Sequence, residues 1–235
     1  MKANYNPRKE HSIRKRYGFK NPKKSFLIIC EGENTEPDYF NAFRLTSATV
    51  KAVGKGLGTM NLVKEAIIIL SIIISIRSWR PFSLSACLHN TSESCSFVKS
   101  ISLRFFCICC FSFTNLKKSV DFLFISTQTH FLKQYLNVAY SNESFELWFL
   151  LHFSLFVNPI ARGNYARLLS KYLGIPYTKQ SGFAKKLYQI LKPLESKAIK
   201  NAETLMDGHN GMKPSEANPS TTVHKLVSSL NEYVD

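Results

Sequence analysis

Acidic side chains are scarce in this sequence: 16 Asp and Glu stand against 31 Lys and Arg in 235 residues, a formal net charge of +15. Such an excess favours polyanionic partners, nucleic acid first and anionic membrane second. Long apolar runs are missing too. The longest aliphatic one, Ala66–Ile76 (AIIILSIIISI), falls short of the roughly 20 residues of a spanning helix. No membrane partner is therefore expected. The first residues are basic and polar, with no early apolar region of a secretory signal, so the expected location is cytoplasmic. Paired cysteine knuckles are absent as well. Five of the six cysteines crowd into Cys87–Cys110, and CICC at 107–110 lacks the spacing of a structural zinc site.

What is present begins with a basic arm. Residues 1–24 hold nine Lys or Arg and one Glu, suited either to touching phosphates or to staying solvated. SFLIICE, 25–31, reads as a buried strand, and TEPDYFNAFRL as a helix with Thr35 as N-cap and Pro37 in its first turn. SATVKAV is a second β-branched strand, GKGLGT a glycine-rich turn at 54–59, and TMNLVKEAI a second helix. Strand, helix, strand, helix with short links predicts a parallel α/β sheet.

From Ile67 to about residue 134 this grammar lapses. Only Glu93 and Asp121 remain as acids, half of the 18 phenylalanines fall here, and neither helical nor strand periodicity persists, although VDFLFIS suits a strand. The segment is expected to be disordered or a misfit. Regular patterning returns near Leu136: LNVAYSNESFELWFLLHFSLF gives a short strand, a polar turn and an apolar helix. Residues 160–206 read as helices separated by Gly and Pro, with Lys185–Met206 the longest; 207–221 is a loop, and STTVHKLVSSLNEYV a closing amphipathic helix. The expected organisation is an arm (1–24), an α/β core (25–158) interrupted at about 67–134, and a helical region (159–235).

In a parallel α/β sheet, ligands bind beyond the carboxyl ends of the strands. Glu31 stands there, before Gly32, as a candidate acid–base or Mg²⁺-holding carboxylate; Glu33 and Glu36 fit assistance and helix capping equally. Asn142 and Glu146, four apart, are expected on one helix face behind a strand and are second candidates. Glu146 is an acid amid apolar residues, which calls for a partner. His152 reads as a core or helix-end histidine. Lys55 in the glycine turn and Lys185 and Lys186 in a lysine-rich helical stretch are candidate nucleic-acid contacts, with a structural turn and solvated helix faces as the plainer readings.

The pattern LIICEGENTE resembles the first motif of Toprim domains. Three blocks, LIICEGENTEPDYFNAF, AYSNESFELWFLLHF and NPSTTVHKLVSSLN, resemble more closely the RloB/AbiL-like family found beside bacterial restriction systems and in phage-abortive loci. The resemblance implies a Toprim-like core, a role in phage defence with a restriction or defence-system partner, and Mg²⁺-dependent phosphodiester chemistry on nucleic acid. In Toprim enzymes the glutamate, here Glu31, works with an Asp-x-Asp pair, and no Asp-x-Asp occurs in this chain. It would fall inside the anomalous stretch. A local frame error, inversion or pseudogene lesion there is expected, with genuine divergence as the rival account, and an impaired enzyme is the consequence. A non-enzymatic nucleic-acid-binding or defence-partner protein is the alternative.

Overall fold

Among the described residues, four strands run in parallel and a fifth, of two residues, pairs with the end of one edge strand. A computed structural model describes residues 24–58, 61–62, 64–66, 68–69, 103–111 and 136–234. The strands are β1 (Lys24–Cys30), β2 (Ala48–Gly54), β3 (Leu103–Phe111), β4 (Leu136–Asn142) and β5 (Ser220–Thr221). They lie in the order β2-β1-β3-β4-β5, with β5 antiparallel to β4. The chain steps outward from β1 to β2, then returns to β1's other side for β3. That reversal puts the crevice of an open α/β sheet at the carboxyl ends of β1 and β3.

The helices are α1 (Thr35–Phe40), α2 (Glu146–Leu151), α3 (Tyr165–Leu173), α4 (Phe183–Leu191), α5 (Glu195–Gly208) and α6 (Val223–Asn231). Residues 61–62, 64–66 and 68–69 are helical as well, with Leu62 and Ala66 fully buried. The mixed α/β class, the parallel pairing of the first two strands and the mostly helical C-terminal half thus match the sequence pattern.

Several boundaries differ, each for a local reason. α1 stops at Phe40 because Asn41 turns its amide onto β2. Its Nδ2 donates to the Ala52 carbonyl and its Oδ1 accepts from the Ala52 N–H, both at 2.9 Å, so one side chain stands in for a neighbouring strand. Asn34, not Thr35, is the N-cap of α1. The long helix expected over 185–206 is two, broken by a 3-10 turn at Lys192–Leu194 where Pro193 removes a backbone donor. Asn142 ends β4 and so does not share a helix face with Glu146, as the four-residue spacing suggested.

The largest difference is β3. It lies within the stretch that showed no periodicity, yet it pairs with β1 on one side and β4 on the other. Its sequence after Arg104 is an unbroken apolar run, the form a strand takes between two parallel neighbours rather than an alternating one. The candidate strand VDFLFIS, Asp121 and the arm 1–23 lie outside the described residues.

An aromatic cluster joins the N-terminal unit to the C-terminal one. Tyr39 of α1 makes edge or tilted contacts with Phe40, Phe43, Phe145, Phe149 and Tyr188 at 5.2–5.9 Å between centroids. Its hydroxyl accepts from Trp148 Nε1 at 2.9 Å. Edge-to-face pairs of this kind add about 0.5–1.5 kcal/mol each beyond area burial. They fix α1, and with it the loop after β1, against the start of α2.

Candidate functional site

The loop 31–34 leaves β1 and reaches α1 within four residues, which needs unusually close backbone packing. Gly54, at the end of β2, supplies it: a Cβ there would stand 2.5–2.6 Å from the Gly32 carbonyl oxygen and from backbone atoms of Glu33. Gly56, at φ +60°, does the same for the Glu33 carboxylate, which would lie 2.4 Å from an added Cβ. The glycine turn predicted at 54–59 is thus the seat of the Glu31 loop. Lys55 N–H donates to the Cys30 carbonyl at 3.1 Å, tying the turn to β1.

Between these loops and the start of α2 is a cavity of about 430 Å³. Glu31, Glu33, Glu36 and Glu146 line it, with Arg162 and Lys179 as the two cations. In a protein of net charge +15, a quarter of all acids are gathered here around two bases. Glu31 is half-buried; Glu36 is buried, its carboxylate against Gly32.

Glu146 begins α2, where the positive helix end favours an acid. It is 3% exposed by side chain, and its partners are all accounted for. Oε1 accepts from Lys179 Nζ at 2.6 Å and from the Tyr177 hydroxyl at 2.9 Å, and Oε2 from the Ser144 hydroxyl. Burial alone would raise its pKa. The Lys179 charge, with hydrogen bonds from Lys179, Ser144 and its own backbone, outweighs burial and holds the carboxyl below its ordinary range. The Tyr177 hydroxyl is pushed far up, by burial first and the Glu146 charge second, and stays a donor. This predicted candidate is in the cavity but bound to three donors.

Asn142 lies outside the lining. It is 2% exposed and donates to the carbonyls of Pro214 (3.3 Å) and Ala217 (2.8 Å), anchoring the 209–219 loop. Lys55 pairs with Glu65 at 2.9 Å. Lys185 and Lys186 are exposed on α4 and do not line the cavity. His152 caps α2 in the core. Its Nδ1 meets the Trp148 carbonyl at 2.9 Å and its Nε2 has no partner among the described residues. Arg162, Tyr177 and Lys179 escaped the sequence reading, since no local motif sets any of them apart.

Carboxylate oxygens suit a hard cation such as Mg²⁺. Among the described residues, however, no three His, Cys, Asp or Glu side chains group so as to hold a metal ion. With Glu146 committed to Lys179, these residues alone do not build a cage. No helix among the described residues is long and apolar enough to cross a membrane.

No curated protein and no solved structure matches the chain. Residues 117–230, just under half of it, match the family of RloB-like proteins. The match begins inside the stretch that composition sets apart, includes the block at 139–153 and nearly all of the tail block, and excludes the block that contains Glu31. What the comparisons give is therefore an RloB-like domain over residues 117–230.

Proposed function

We propose that this is an RloB-like phage-defence protein with a Toprim-like core, acting on the phosphodiester backbone of nucleic acid at the strand-end cavity. The observation that carries the reading is the position of Glu31, which follows β1 at the reversal of strand order and opens into a cavity of about 430 Å³. A phosphate approaching a cavity lined by four glutamates and two bases is repelled unless a cation accompanies it. Mg²⁺ would supply that charge; it commonly uses one or two carboxylates, water and substrate phosphate oxygens rather than an all-protein cage. Glu31 would be its protein ligand. A Glu31 that does not bind the ion can instead accept a proton from an attacking water, one carboxylate being poorly suited to serve both roles at once. The remaining residues orient and confine: the turn at 54–58 seats the Glu31 loop, and α2 with the 174–182 loop forms the far wall.

The test is cleavage of single- and double-stranded DNA and RNA with Mg²⁺, by the wild type and Glu31→Ala, beside phage plating on cells carrying each. Loss of cleavage and protection in the variant is expected. Equal activity in the two proteins would remove Glu31 from the mechanism. The second reading, a binding protein without catalysis, is favoured by the Glu146–Lys179 pairing, which withdraws one carboxylate from chemistry. It predicts binding without cleavage in both proteins.

A further inference from the structure

Lys179 and Arg162 are the cavity's two cations, and they come from separate elements. Arg162 opens a 3-10 turn before α3, and Lys179 stands in the loop joining α3 to α4. The Lys179 side chain is 63% exposed. A lysine so placed normally samples many rotamers, and fixing it costs side-chain entropy. Here its Nζ is held on Glu146 Oε1, and Tyr177, two residues earlier, donates to the same oxygen. The loop is pinned again where the Gly182 N–H donates to Asp38 of α1. Arg162 is exposed and makes no ion pair among the described residues.

Building on the reading above, we infer that Lys179 and Arg162 form a phosphate-binding wall of the cavity, with Glu146 and Tyr177 as positioning residues that hold Lys179 in place. One backbone phosphate of a nucleic acid rests against this wall while the strand passes Glu31. The three donors on Glu146 explain why it is no proton acceptor: its oxygens are already occupied by Lys179, Tyr177 and Ser144. Lys179 keeps donor hydrogens for a phosphate because a lysine has three and Glu146 takes one.

Fluorescence anisotropy with a short labelled single strand, with Ca²⁺ in place of Mg²⁺ so that the cation is present without cleavage, across a range of monovalent salt concentrations, tests this. Arg162→Ala and Lys179→Ala should each weaken binding several-fold and reduce the slope of log K against log salt by about 0.7, the effect of one lost phosphate contact. Lys200→Ala removes the same charge from α5, outside the cavity lining, and should leave the slope nearly unchanged. Glu146→Gln separates positioning from charge. It makes the protein more positive, so charge alone predicts tighter binding, whereas release of Lys179 predicts weaker binding. Tighter binding by Glu146→Gln, or Arg162→Ala and Lys179→Ala behaving like Lys200→Ala, would overturn the inference. Arg162 is exposed and outside the core cluster, so its variant remains informative if Glu146→Gln folds poorly. Should Glu31→Ala lose cleavage while both wall variants bind as wild type, the wall alone is wrong. Should the wild type bind no strand, the nucleic-acid reading fails with it.

Discussion

Gly54 and Gly58 stand four residues apart in one turn, and an added methyl group would fare differently at each. At Gly54 it meets backbone of residues 32 and 33 inside 2.7 Å, whereas at Gly58 it meets nothing within 4 Å. Backbone cannot step aside as a side chain can. Gly54→Ala is expected to cost about 3 kcal/mol, the upper end of overpacking effects. Gly58→Ala should be neutral or stabilising by up to about 1 kcal/mol, through the unfolded chain. Urea midpoints of the two variants check the contrast. The glycine-rich turn itself was plain in the sequence; which glycine carries it was not, because the partner residues lie more than 20 positions upstream. His152 gives a second outcome at this scale. Burial first lowers its pKa to about 4, against backbone hydrogen bonds that raise it. The unfolded chain then binds a proton between pH 6.5 and about 4 that the folded one refuses. Stability is fully present above pH 6.5 and falls with acidification, by about 2 kcal/mol from pH 6.5 to pH 5. Urea unfolding at those two pH values should show that loss, and His152→Phe should remove most of it.

Among the elements, the corner between α4 and α5 is where sequence and structure part most instructively. The helical pattern runs through 185–206, and Pro193 alone marks the break. What uses the break is Lys192. Its Nζ bonds both Glu195 Oε1 and Asn231 Oδ1 at 2.9 Å, and it lies over the rings of Phe43 and Tyr188. Glu195 is buried, with Oε2 unpartnered among the described residues. Lys192→Met keeps the stem and removes the charge, leaving Glu195 without its cation. A loss of about 2 kcal/mol in chemical denaturation is expected, typical of a hydrogen bond to a charged group. β3 shows the opposite problem. Its strand nature is hidden because period-two alternation is the signature of a strand with one wet face, and β3 lies between parallel neighbours. Pairing partners, not local pattern, define it.

For the whole molecule, the decisive join is the aromatic one around Tyr39. It unites the block that ends in Glu31 and α1 with the block that begins α2, more than 100 residues later. Both blocks were recognisable in the sequence, but their contact was not, since nothing local in either encodes the other. Tyr39→Phe preserves the rings and takes the acceptor from Trp148 Nε1, so a cost of about 1–2 kcal/mol is expected. Far- and near-ultraviolet circular dichroism should still trace one shared unfolding transition, because the two blocks share a core. Two separate transitions would contradict that unity. The cavity follows the same logic: Glu31, Glu33 and Glu36 were legible after β1 and Glu146 in the block after β4, while Arg162 and Lys179 arrive from segments that only the assembled fold brings near.

β5 is two residues long, yet its position matters more than its length. Ser220 and Thr221 pair with the last two residues of β4, and Tyr233 then meets Phe26 and bonds Thr46. A nascent chain that has released β1 through β4 but not residue 220 would carry an unpaired strand edge, a template for another chain. A chain without residues 220 and 221 would therefore leave the Ser141–Asn142 end of β4 open to pairing with another chain, a hazard that β5 removes.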